Sequence, residues 1–122
     1  MVHHLYVGHF ENDGDVGRTK RDEHGIPRLI RTRPLDPILV EEALRTVGGE
    51  AVHLGSIPAH WDLWPEDGYL VCDHYTRSRR AIEFVIRVVR ATGCEMFDSN
   101  LFPRVTVESL ERRLALPVRW LD

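Results

Sequence analysis

The chain has 122 residues, 43% of them hydrophobic, which is enough for one domain with its own core and no need of disulfide staples. Its 16 basic and 19 acidic residues are mixed along the whole length and leave a formal charge of −3, so the basic field that a general nucleic-acid binder needs is absent. No apolar run approaches the roughly 18 residues that span a bilayer, and no basic segment with an apolar stretch opens the chain, so the expected setting is cytoplasmic with no membrane partner.

In chain order, His3 to Phe10 alternates weakly, with Leu5 and Val7 on one side of an expected N-terminal strand. Glu11 to Gly25 contains Asn-Asp-Gly and dense mixed charge, with Val16 as its one strong apolar residue, and reads as a long mobile loop open to proteolysis at Arg18, Lys20 and Arg21. Arg28 to Thr32 reads as a short strand with Ile30 inward, ended by Pro34. A well-bounded helix follows: Asp36 suits the N-cap, Pro37 the first helical position and Gly48 the stop, with Leu39, Val40, Ala43, Leu44 and Val47 as its apolar face. Glu50 to Ile57 has the alternation of a strand, with Val52 and Leu54 facing one way. Pro58 to Gly68 holds Trp61 and Trp64 in a structured loop.

Tyr69 to Cys72 is the longest unbroken apolar run and reads as a buried strand. Ala81, Ile82, Val85, Ile86 and Val89 then recur at helical spacing opposite Arg80, Glu83, Arg87 and Arg90, and Gly93 ends that helix. Cys94 to Phe97 reads as another strand, closed by the turn signal Asp98-Ser99-Asn100. Thr106 caps a last helix with Val107, Leu110 and Leu114 as its stripe, ended by Pro117. From Arg28 onward the order is strand, helix, strand, strand, helix, strand. That predicts an α+β, ferredoxin-like split β-α-β sandwich with an N-terminal extension and an extra C-terminal helix. One domain is expected over residues 1–122, with 1–25 as N-terminal strand and mobile loop, 26–100 as the sandwich core and 101–122 as C-terminal helix and tail.

The most distinctive polar run is Asp73-His74-Tyr75-Thr76-Arg77-Ser78-Arg79-Arg80. Arg77, Arg79 and Arg80 gather where a helix already presents free N–H groups and a positive dipole end, which is unfavourable unless an anion lies nearby. The anion is either a ligand such as phosphate or an acidic side chain of a partner; otherwise the arginines are solvent-exposed, with Glu83 paired to Arg79 or Arg87 and Asp73 neutralising the helix end locally. Trp61 and Trp64 are either a recognition patch, since tryptophan and arginine dominate binding hot spots, or a lid over the core. Cys72 and His74 share a strand face, but a thiol inside the most apolar run is expected to pack rather than react. Of the seven histidines, His3 and His9 on one strand stand about 20 Å apart, so a metal site would need His53, His60, His74 or Asp73 brought in from elsewhere. Neither HExxH nor paired CxxC occurs, and no metal or other cofactor is expected.

No motif assigns the chain to a family. The preferred reading is a bacterial protein-binding or regulatory module without catalysis, accessory or toxin-neutralising, with Trp61, Trp64, Asp73, His74, Arg77, Arg79 and Arg80 as its binding residues. Fifteen of the 16 basic residues are Arg, with Lys20 the exception, as codon usage in a GC-rich bacterial genome produces. A protein partner or self-association, or an anionic small molecule, is expected. The alternative is a small enzyme or ligand-binding domain that uses the open sheet face and the Asp73-His74 junction, with His53 and Tyr69 as further polar groups.

Overall fold

The computed structural model describes residues 3–10, 20–21, 27–28, 31–99 and 104–122. Strand β1 (His4–Phe10) is followed by β2 (Lys20–Arg21) and β3 (Pro27–Arg28), which pair with each other, and by β4 (Arg31–Arg33). Helix α1 (Pro37–Gly48), strands β5 (Leu63–Pro65) and β6 (Leu70–Asp73), helix α2 (Arg79–Thr92), strands β7 (Glu95–Asp98) and β8 (Arg104–Val105) and helix α3 (Val107–Ala115) complete the order.

The main sheet runs β5-β6-β1-β7-β8, antiparallel at every step, with β4 paired to the end of β1. Helix α1 joins β1 to β5 across β6, and α2 joins β6 to β7 across β1. These two interlocked units make the expected ferredoxin-like sandwich. Leu5, Val7, Leu63, Leu70, Cys72 and Met96 face the helices and meet Val40, Leu44, Ile82, Phe84, Val85, Val88 and Leu110 in one core. The helix caps match their residues: Asp36 accepts the Ile38 N–H at 2.9 Å, Ser78 accepts the Ala81 N–H at 3.1 Å, and Thr106 accepts the Ser109 N–H at 3.2 Å. Gly93 ends α2 at φ 68°, a conformation that a side chain disfavours. Gly8, in the central strand, has its own reason: a Cβ there would stand 2.9 Å from the Tyr69 Cβ.

Two elements differ from the sequence expectation. The first strand of the sandwich is His4–Phe10 and not Arg28 to Thr32; among the described residues, Arg31–Arg33 pairs at the irregular end of β1, His9 opposite Arg33 and Phe10 opposite Arg31. A strand bonded on both sides must span two neighbours, and the seven residues of β1 do so with Leu5 and Val7 buried between β6 and β7. Glu50 to Ile57 is likewise no strand but a turn leading to a single 3-10 turn at Leu54–Ser56. Gly49 at φ 86° reverses the chain, Val52 folds back on Gly48, and the Leu54 N–H is taken by the Glu41 carboxylate at 3.2 Å. The short edge strand Leu63–Pro65 fills that place in the sheet. The expected mobile loop, Glu11 to Gly25, lies outside the described residues apart from Lys20–Arg21.

The second sheet face carries Phe10 and Phe97 with Tyr6 and Tyr69 packed against them. Phe97 is fully buried and Val71 is 4% exposed, so this face is closed at its middle.

Candidate functional site

Three strand ends meet where α2 begins. Leu5 stands opposite Cys72 on one side and Asp98 on the other. A strand returns to the same face every second residue, so His3, His74 and Asp98 fall together on the helix-covered side of β1, β6 and β7. The His74 N–H extends the ladder by donating to the His3 carbonyl at 2.8 Å.

Asp98, 6% exposed, lies between the two imidazoles. The His74 Nδ1 is in close contact with Oδ2, and the His3 Nδ1 is 3.5 Å from Oδ1, long for a hydrogen bond. Tyr75 stacks on the His74 ring at 5.1 Å between centroids and meets the His3 ring edge-on at 5.4 Å. Tyr75 is itself 62% exposed, so it forms the outer wall of the cluster.

The loop that carries His74 and Tyr75 is held from several directions. Asp73 accepts the Tyr75 N–H at 2.8 Å in an Asx turn, and the Thr76 hydroxyl donates to the Trp61 carbonyl at 3.1 Å. From α3, the Arg113 guanidinium donates to the carbonyls of His74 and Thr76 and lies over the Tyr75 ring at 5.9 Å. At the same end of β1, the Ser99 hydroxyl oxygen accepts the His4 N–H at 2.9 Å.

The arginine junction has an anion, and it comes from the chain's own tail. The Asp122 carboxylate accepts from the Ser78 hydroxyl at 2.7 Å and from the Arg80 N–H at 3.2 Å, and the His60 Nε2 lies 3.1 Å from it. Burial pushes the Asp122 carboxyl up, but the bonds from Ser78, the Arg80 backbone, His60 and the Arg79 backbone together outweigh burial and hold it below its ordinary value. Arg79 is paired with Glu83 at 3.2 Å, donates to the Leu114 carbonyl at 3.3 Å and lies over the Trp120 ring at 5.9 Å. Arg77 and Arg80 are exposed.

No family model, curated protein or solved structure matches this chain. Among the described residues, no group of three or more His, Cys, Asp or Glu side chains could hold a metal ion, and no helix is long and apolar enough to cross a membrane.

Of the residues singled out from the sequence, Asp73 and His74 lie at the strand-end cluster, and Arg77, Arg79 and Arg80 lie at the start of α2, where the backbone N–H groups of Arg79 and Arg80 bond Asp122 and the Arg77 carbonyl bonds Leu121. The two tryptophans part company. Trp61 is 2% exposed and packs near Phe84, so it is a core residue and offers a partner no surface, which corrects its place among the binding residues. Trp64 is 38% exposed, meets the His4 ring edge-on at 5.4 Å and donates to the Glu66 carboxylate at 3.0 Å. His53 is exposed at the turn before Leu54, and Tyr69 packs against Phe10 on the second face, so neither joins His74. Sequence reading weighed His3 only as a metal ligand beside His9, took Asp98 as turn punctuation and passed over Arg113 and Asp122, because each acts through a contact across the fold.

Cys72 is no nucleophile in this site. Burial pushes its thiol up to about 12, the Asp73 carboxylate adds to the rise, and the Sγ–H donates to the Asp73 carbonyl at 3.4 Å. Burial also raises the Cys94 thiol. Both thiols of the native chain should therefore resist a disulfide reagent near neutral pH and react only when the chain is unfolded in urea. Rapid labelling of either in the native state would contradict this placement.

Proposed function

We propose that this chain is a small-molecule-binding domain whose site at the strand ends exchanges protons with a polar ligand through His3 and His74. One observation carries the reading: a buried carboxylate, Asp98, lies between the Nδ1 atoms of two imidazoles. An ionised carboxylate only accepts, so each Nδ1 that bonds to it must carry a proton. The opposite nitrogen, Nε2, then holds a lone pair in the neutral ring and a donor proton in the charged ring. That is the orientation in which a carboxylate readies a histidine as general base or general acid. Cys72 is protonated and buried and supplies no thiolate to the pair, so the proposed chemistry is proton transfer through the two imidazoles. The fitting ligand class is a small molecule with a carbonyl or hydroxyl group that Nε2 can reach beside the Tyr75 ring.

A bacterial, cytoplasmic setting belongs to the same proposal and is supported by the arginine-rich composition and by two free, buried thiols. A second reading, recognition of an acidic partner at the arginine junction, is favoured by a separate observation: an acidic side chain already sits there.

The test is NMR of the histidine rings while small carbonyl, hydroxy-acid and phosphate compounds are added. The expected result is that at least one class moves the ring signals of His3 and His74 together, and that Asp98→Asn, with its fold intact, loses the response. If no class moves them, or Asp98→Asn responds as the unmodified chain does, the cluster is a structural tie between strand ends and the proposal fails.

A further inference from the structure

We infer that the cleft at the start of α2 is a recognition site for a short acidic segment with a tryptophan two residues ahead of its carboxylate, and that Trp120–Asp122 is its tethered resident. This deepens the second reading alone, and its failure leaves the strand-end site untouched.

The helix end supplies only part of the cleft. Ser78 and the Arg80 N–H bind the Asp122 carboxylate, but His60 reaches it from the turn before β5. The Arg77 carbonyl accepts the Leu121 N–H at 3.0 Å, a main-chain contact of the kind by which extended peptides are held. Arg79 covers the Trp120 ring. Backbone, aromatic ring and carboxylate of one short segment thus each have a separate receptor group, while the Leu121 side chain between them stays 60% exposed.

The link to the rest of the molecule is slight. Leu116 and Val118 are 56% and 37% exposed, and the segment leaves α3 without regular structure. A segment held by an exposed connection behaves as a ligand at high local concentration, of the order of millimolar for a short flexible tether. It shields the cleft until a partner segment of the same chemistry outcompetes it. Charge complementarity sets that chemistry, because Arg77 and Arg80 flank the cleft in solvent and favour an acidic occupant.

The experiment uses the full chain and a labelled peptide, acetyl-Val-Arg-Trp-Leu-Asp-amide, followed by fluorescence polarisation. Asp122→Asn weakens the resident without shortening the chain, and it should bind the peptide about tenfold more tightly than the unmodified protein does. Replacing the peptide's Asp by Asn, or adding Arg79→Ala to the variant, should undo that gain. Equal binding by both proteins, or no binding by a folded Asp122→Asn chain, overturns the inference. If that variant shows no melting transition, the peptide is added to the unmodified chain and the Arg77 and Arg80 amides are followed by NMR. Movement of both supports exchange at the cleft, and no movement overturns it.

Discussion

Trp61→Ala should lower the unfolding free energy by about 3–5 kcal/mol, the range for removing a buried large aromatic ring. The ring is 2% exposed, its centroid lies 6.4 Å from that of Phe84, and Phe84 is itself fully buried in α2. The cavity would open between the Trp61 turn and the helix that crosses the sheet, where the surrounding backbone has little room to close it. Small domains retain only about 5–15 kcal/mol in total, so the variant should unfold at a much lower urea concentration. The site should feel it too, because the Trp61 carbonyl anchors the Thr76 hydroxyl in the loop that carries His74. Trp64→Ala is the control: its ring is more than a third exposed, and the expected loss is within about 1 kcal/mol. Equal losses for the two variants would mean that Trp61 is not packed as described.

Asp122→Ala is expected to cost about 1–2 kcal/mol near neutral pH, as befits a carboxylate at a partly buried helix N-terminus. Its side chain is 14% exposed and receives the Ser78 hydroxyl and the Arg80 N–H. The effect should depend on pH in a definite direction. The folded carboxyl lies below its ordinary value of 3.8, so it is harder to protonate in the fold than in the unfolded chain. The stabilisation is therefore complete above the unfolded value and is lost as pH falls through the lower folded one. Urea midpoints of the unmodified and variant chains should differ near neutrality and converge in strong acid. A gap that stays constant across that range would mean that Asp122 acts through packing and not through its charge.

Much of the architecture was legible from local pattern. The apolar stripe of α2, the Asp36 and Pro37 start of α1, the Thr106 cap and the Gly93 stop each depend on neighbours a few residues away, and each is where periodicity and capping chemistry place it. Legibility failed where two segments offered similar alternation. Glu50 to Ile57 has a better strand pattern than Leu63–Pro65, yet the latter pairs with β6, because Gly49 and the bond from Leu54 to Glu41 turn the former away. The partly hidden strength of β1 is of the same kind: only its place between β6 and β7 shows why both of its edges are used.

The candidate site divides along the same line. Residue types and local spacing determined that a positive junction at the start of α2 needed an anion, because a helix end and three arginines repel one another wherever they occur together. Only the tertiary structure decided which anion, since Asp122 lies 44 positions beyond Ser78 and no periodicity connects them. In the same way, His3 and Asp98 are 95 positions apart and become neighbours because antiparallel pairing lays β1 between β6 and β7. Side-chain periodicity reports which face a residue takes, but strand pairing decides what else stands on that face, and pairing is settled by the packing of the whole core.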